Sequence, residues 1–133
     1  MVSRSDDAES PASSFVPSTW RLGPEDLPAG FVYPEVFTRV LARQLVDLDP
    51  WYFVEAEQLV ATRTGLLKRY PRHNYVPFAR RQDNDDIACW DHDPAAGVLI
   101  VHDWASAGYE INARYESFDG WFRRAVDDML DWD

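Results

Sequence analysis

One cysteine, one lysine and no long apolar run set the first limits on this chain. Cys89 alone cannot form an internal disulfide, which suits a reducing compartment. No stretch approaches the about eighteen apolar residues that a membrane-spanning helix needs. Met1 to Ser10 mixes acids and serines without a hydrophobic region, so it does not read as a secretory signal, and the expected location is the cytoplasm. Phosphate-cradling loops of the Gly-x-Gly-x-x-Gly or Gly-Lys-Ser/Thr type are missing. His73, His92 and His102 form no His-x-x-x-His pair and have no second cysteine to join them, so zinc spacing is absent. The carboxylates Asp83, Asp85, Asp86, Asp91 and Asp93 fail as an EF-hand loop. Counted from Asp83, the positions that require Gly and Glu hold Ala88 and Pro94. No cofactor or metal is therefore expected.

Positive charge is the scarcest commodity of the second half. Residues 1–82 hold ten acids and ten bases, whereas residues 83–133 hold thirteen acids against Arg114, Arg123 and Arg124. The whole net charge of −10 thus sits in the last fifty-one residues. Such a surface keeps the chain soluble, repels nucleic acid and anionic membranes, and speeds the approach of a basic partner. Neither nucleic acid nor a membrane is expected to bind. The short basic groups Lys68-Arg69, Arg72 and Arg80-Arg81 read as helix-end and turn charges.

What is present is a globular composition, 46% apolar and 14% aromatic with six Trp. A chain of 133 residues can bury roughly two thirds of its unfolded surface in one domain. Residues 1–14 read as a flexible tail and 15–133 as that domain.

Its centre is the stretch from Asp85 to Trp104. The near-continuous apolar runs Ile87-Ala88-Cys89-Trp90 and Val98-Leu99-Ile100-Val101 flank a polar segment with turn residues, Asp91 to Gly97. This predicts a β-hairpin covered on both faces at the middle of a sheet. Tyr75 to Ala79 reads as the strand that enters it, with Pro77 demanding a bulge or a strand end. Arg80 to Asp86 reads as the turn, and Tyr109 to Tyr115 as an extended or looped return.

Before the hairpin, Phe15 to Tyr33 is broken by Pro and Gly and predicts an irregular arm docked by Trp20, Leu22, Leu27 and Phe31. Pro34 and Glu35 open a helix whose apolar spacing continues from Phe37 to Leu48, where Asp49-Pro50 stops it. Trp51 to Phe53 is a short strand or docked loop. A second helix spans Glu55 to Tyr70, with Ala56, Leu59, Val60, Arg63, Leu67 and Tyr70 on its inner stripe and Gly65 weakening its middle. Ser117 caps a C-terminal amphipathic helix reaching Asp131, with Phe118, Trp121, Phe122, Ala125 and Met129 inward. The expected fold is α+β, a central, mostly antiparallel sheet flanked by about three helices.

No catalytic constellation stands out. Cys89 beside His92 or His102 raises the question of a thiol nucleophile, yet a cysteine between Ala88 and Trp90 in a central strand is expected to be buried and inert. Trp90, Trp104, Trp121 and Phe122 are expected in the core. Trp132, Tyr109 and Tyr115, set among acids, suit a partly exposed protein interface.

Val76-Pro77-Phe78-Ala79, then Asp85 to Asp91, then Val98 to Ser106 with its His102-Asp103-Trp104, then Tyr115 to Trp121 occur in an order that resembles the SUKH superfamily. That group is also called the Smi/Knr family, after a fungal regulator of cell-wall synthesis. The likeness spans roughly residues 34 to 132 and extends to Leu27-Pro28, while Leu48-Asp49-Pro50-Trp51 stands where many members carry Asn-Gly-Gly. It implies an α+β fold and a bacterial immunity protein that binds and neutralises a toxin, often a nuclease. It implies no catalytic residue. The expected function is a non-catalytic inhibitor whose acidic half covers a basic toxin domain; the alternative is a regulatory or scaffolding module acting on host proteins. Expected partner contacts are Asp83, Asp85, Asp91, Asp93 and Glu110, which would steer and pair with Arg or Lys, and Tyr109 and Tyr115 as anchors.

Overall fold

A computed structural model describes residues 18–132, and the tail expected over residues 1–14 lies outside them. Helices α1 (Glu35–Ala42), α2 (Ala56–Arg69) and α3 (Phe118–Leu130) surround strands β1 (Asp47–Leu48), β2 (Trp51–Phe53), β3 (Tyr75–Arg81), β4 (Asp86–Asp91), β5 (Val98–His102) and β6 (Ile111–Tyr115). The strands form one sheet in chain order, antiparallel throughout, so the fold is α+β.

The hairpin β4–β5 lies inside that sheet, and alternation along it feeds two cores. Ala88, Trp90, Val98 and Ile100 face the larger one, with α1 and α3. Ile87, Cys89, Leu99 and Val101 face the smaller one, with Leu66 and Tyr70 of the α2 end. Both faces of the two central strands are thus covered, as their continuous apolar character requires. Phe37 is fully buried at the hub of the larger core, its ring centroid 5.1 Å from Tyr33, 5.1 Å from Trp90 and 5.3 Å from Phe118. Pro77 is accommodated as its missing N–H demands, by a register shift between Pro77 and Ala79. Gly97, at φ +102°, turns the chain into β5 where an added Cβ would collide with the Tyr115 backbone oxygen.

From Ser18 onward the arm docks as expected, while its first three residues, 15–17, lie outside the described residues. Leu22 is buried, and Trp20, Leu27 and Phe31 pack against the same core. Arg63 of α2 fastens it, donating from Nε to the Asp26 carbonyl at 2.6 Å and from Nη1 to the Tyr75 carbonyl at 2.7 Å.

Two element boundaries and one buried helix face differ from the sequence expectation. The first helix ends at Ala42, six residues early, because Gln44 takes a left-handed φ of +56°. The Gln44 N–H then reaches the Leu41 carbonyl and the Leu45 N–H the Val40 carbonyl, the paired bonds of a Schellman stop. Leu48, whose spacing suited the helix, lies instead in β1, and Asp49-Pro50 turns the chain into β2. Arg80 and Arg81 extend β3 and pair with Tyr52 and Trp51, leaving the turn to the four residues that follow. The buried face of α2 is Leu59, Thr62, Arg63 and Leu66, rotated from the expected stripe, and Val60 is exposed. The C-terminal helix forms as expected, with the Gly120 N–H donating to the Ser117 hydroxyl.

Left-handed backbone costs a residue with a Cβ roughly 1–2 kcal/mol, which glycine avoids at some expense in unfolded-state entropy. Gln44→Gly should therefore raise stability by about 0.5 kcal/mol, read as a higher urea midpoint at unchanged slope.

Candidate functional site

The connection from β5 to β6, Asp103 to Glu110, has its two ends sunk into the protein and its two largest side chains in solvent. Asp103 is buried and holds Arg69 of α2 in a two-pronged pair, Nε to Oδ1 at 2.8 Å and Nη2 to Oδ2 at 2.7 Å. The same carboxylate accepts the Trp104 N–H at 2.9 Å. Midway, the Tyr70 hydroxyl donates to the Ala105 carbonyl at 2.8 Å. At the far end Glu110, only 1% exposed, accepts the Tyr75 hydroxyl at 2.6 Å and the Gly108 N–H at 2.7 Å.

These bonds satisfy two buried carboxylates that would otherwise be costly to desolvate. Burial pushes the Glu110 carboxyl up, but the Tyr75 and Gly108 hydrogen bonds and nearby His73 outweigh it and leave the pKa below its ordinary 4.5. The Tyr75 hydroxyl is pushed well above its usual range by burial and by the Glu110 carboxylate it donates to.

Held this way, Trp104 is 71% exposed and Tyr109 83% exposed. Trp104 has φ +70°, a genuine outlier for a bulky residue. The Arg69 guanidinium, already fixed by Asp103, lies 3.9 Å from the Trp104 ring centroid. One face of the indole is thus braced by a cation while the side chain stands in water. Strain of this kind persists only where its surroundings impose it, and it concentrates at binding and switch sites.

Behind the loop, His73 joins three segments. Its Nδ1 lies 2.8 Å from Asp91 Oδ2 at the end of β4, its Nε2 lies 3.6 Å from Glu110 Oε2, and its ring stacks on Tyr75 at 4.8 Å. At the other end of β4, Asp86 lies 3.0 Å from His102 Nδ1 and accepts from Asn112.

The expected partner contacts separate under this geometry. Asp91 and Glu110 meet around His73, and Tyr109 adjoins Glu110 on the loop. Glu110 is a buried anchor of the loop and not a surface contact, because its oxygens are taken up by Tyr75 and Gly108. Asp91 is half-buried and also accepts the Asn74 N–H. Asp93 is exposed and caps the short 3₁₀ turn Pro94–Ala96 by accepting the Ala95 N–H. Asp83 and Asp85 lie beyond the opposite end of β4, whose six residues span about 20 Å. There Asp83 is paired with Arg81, which holds its carboxyl below the usual range, while the Asp85 carbonyl accepts the Asp103 N–H. Tyr115 is half-buried against the larger core, on the sheet face away from the loop network.

Trp104 corrects the expectation that it belongs to the core. The apolar alternation of β5 stops at Val101, and the left-handed turn at Trp104 lets Asp103 take the inward position. An Asp-Trp step closing an apolar strand was the available signal. Trp90 and Trp121 are buried as expected, and Phe122 is half-buried. Cys89 is fully buried, and burial pushes its thiol well up, which removes the thiolate a nucleophile requires. Among the described residues no group of three or more His, Cys, Asp or Glu side chains is placed to hold a metal ion, and no helix is long and apolar enough to cross a membrane.

Compared with protein-family models, with curated proteins and with solved structures, the chain matches none.

Two measurements check the loop. Because the lowered Glu110 pKa makes its anchoring fully effective above about 4.5 and loses it as pH falls through the folded-state value, Glu110→Gln should flatten the acid limb of stability against pH. It should also cost about 1–3 kcal/mol near neutral pH in urea denaturation, since the amide offers one acceptor oxygen where the carboxylate offers two, and the Tyr75 O–H and the Gly108 N–H cannot both donate to it as they do to Glu110. Trp104→Ala should change stability by less than about 1 kcal/mol, because an exposed indole contributes little beyond its stacking on Arg69.

Proposed function

We propose that this chain is a non-catalytic immunity protein of the cytoplasm that binds a basic toxin domain and neutralises it, with the β5–β6 loop as the anchor of the interface. The observation that carries this reading is the braced display of Trp104 and Tyr109, two aromatics held in solvent by buried carboxylates. Aromatic side chains fixed in advance lose little freedom on binding and commonly supply the largest share of interface energy. The concentration of net negative charge in residues 83–133 supports a basic partner, which it would draw in and orient. The resemblance to the SUKH superfamily supports the immunity role. Exposed Asp85 and Asp93 serve to steer the partner, while Tyr109 packs against it.

The experiment is retrieval of partners by the tagged chain from its own host at low and at moderate salt. A basic toxin domain held at low salt and weakened by salt is the expected outcome, since charge-steered association loses strength as salt screens it. With the purified toxin, Trp104→Ala should raise Kd by about tenfold or more, mostly through faster dissociation. Charge reversal at Asp85 and Asp93 should lower the association rate and its salt dependence. Retrieval of regulatory host proteins alone would replace the immunity reading with the scaffolding one.

A further inference from the structure

The opposite layer of the molecule carries a second surface, independent of the loop. Along α3 the half-buried Phe122 and Val126 and the 73% exposed Leu130 recur every four residues, one column of the helix. Beside them Asp119, Arg123, Asp127 and Asp131 make an adjacent column, exposed throughout. Val36 of α1 closes the far side of a groove of ≈ 550 Å³ between α1 and α3, with Phe122 and Val126 on its floor and Asp119 and Asp127 on its rim. The nine residues from Asp119 to Asp127 cover about 12 Å of helix from first to last, and Asp131 and partly exposed Trp132 carry the strip further.

The charge on this strip opposes the helix's own electrostatics. The carbonyl end of a helix is its negative pole and favours Lys or Arg, yet the last turn of α3 has no base. Asp128 is compensated by Arg124 at 3.1 Å, and Arg81 lies 3.8 Å away. Asp127 and Asp131 have no such partner among the described residues. A negative pole left uncompensated beside an apolar groove is complementary to a ligand with apolar and cationic faces.

We infer that the α1–α3 groove seats a basic amphipathic helix of a partner protein. Apolar side chains one turn apart on that helix would enter between Val36, Phe122 and Val126. Lys or Arg beside them would meet Asp119, Asp127 and Asp131, with a neutral or acidic residue opposite Arg123. Charge excludes the two occupants nearest to hand. A second copy would oppose acid to acid on a chain of net charge −10, and the seventeen residues preceding Ser18 carry three acids and one base. The inference does not rest on the immunity reading, since the groove lies on the other side of the sheet from the loop and its test requires no toxin.

The test is fluorescence anisotropy of a labelled amphipathic Lys–Leu peptide of about four turns, and of its Glu–Leu counterpart, with the intact chain at physiological salt. The Lys peptide should bind, the Glu peptide should not, and the methyl resonances of Val36 and Val126 should shift on binding. The double variant Asp127→Lys, Asp131→Lys, altered only at exposed positions, should weaken binding by about tenfold or more, while Asp85→Lys leaves it within about twofold. Val126→Glu should abolish binding, and where it disturbs the fold by circular dichroism the double charge variant decides alone. Failure of the Lys peptide to bind the parent chain would overturn the inference. So would equal weakening by Asp85→Lys, which would reduce the effect to net charge.

Discussion

Everything in this fold follows from two strands that cannot tolerate water on either side. Ile87 to Trp90 and Val98 to Val101 offer apolar side chains to both faces of the sheet, so one layer of cover is insufficient. α1 and α3 close one face with an aromatic core around Phe37 and Trp90, and the end of α2 closes the other with Leu66 and Tyr70. Burying each large side chain stabilises the fold by roughly 1.5–3 kcal/mol. That gain is available only if β4 and β5 stay central, so the flanking strands and helices are arranged around them.

The same constraint produces the β5–β6 loop. When the strand β5 leaves the sheet after His102, its successor Asp103 still points into a covered layer, and a buried carboxylate must be matched. Arg69, at the last position of α2, provides the match and remains close enough to lie over Trp104. Tyr75, at the first position of β3, does the same for Glu110 with a hydroxyl in place of a cation. Polar groups that could have been surface charges thus become the fixings of the loop, and the apolar side chains between them are displaced outward. The usual assignment of charge to solvent and aromatic to interior is inverted over eight residues, Asp103 to Glu110.

Sequence patterns disclosed the parts of the fold that rest on periodicity and on residues with fixed backbone preferences. The double-sided hairpin, the bulge at Pro77, the Ser117 cap and the docked arm were all legible from apolar runs, prolines and capping chemistry. The failures share a different cause. Leu48 continued a helical spacing, but Gln44 adopts a conformation normally reserved for glycine, and nothing in its own chemistry announces that. Of the site, the exposure of Tyr109 was legible, whereas the exchange of places between Trp104 and Glu110 was not. It depends on Arg69 and Tyr75, thirty-four and thirty-five residues away in the chain, and only the fold brings those side chains to the loop.

The burial of Cys89 has a practical corollary. As the chain's sole thiol, wedged between two strands at the centre of the sheet, it is shielded from alkylating reagents until β4 separates from its neighbours. Its modification rate therefore clocks the opening of the sheet centre and ignores fraying at the arm, the β5–β6 loop or the end of α3. The protein carries its own reporter of cooperative unfolding, placed where an engineered label would have damaged the packing it was meant to measure.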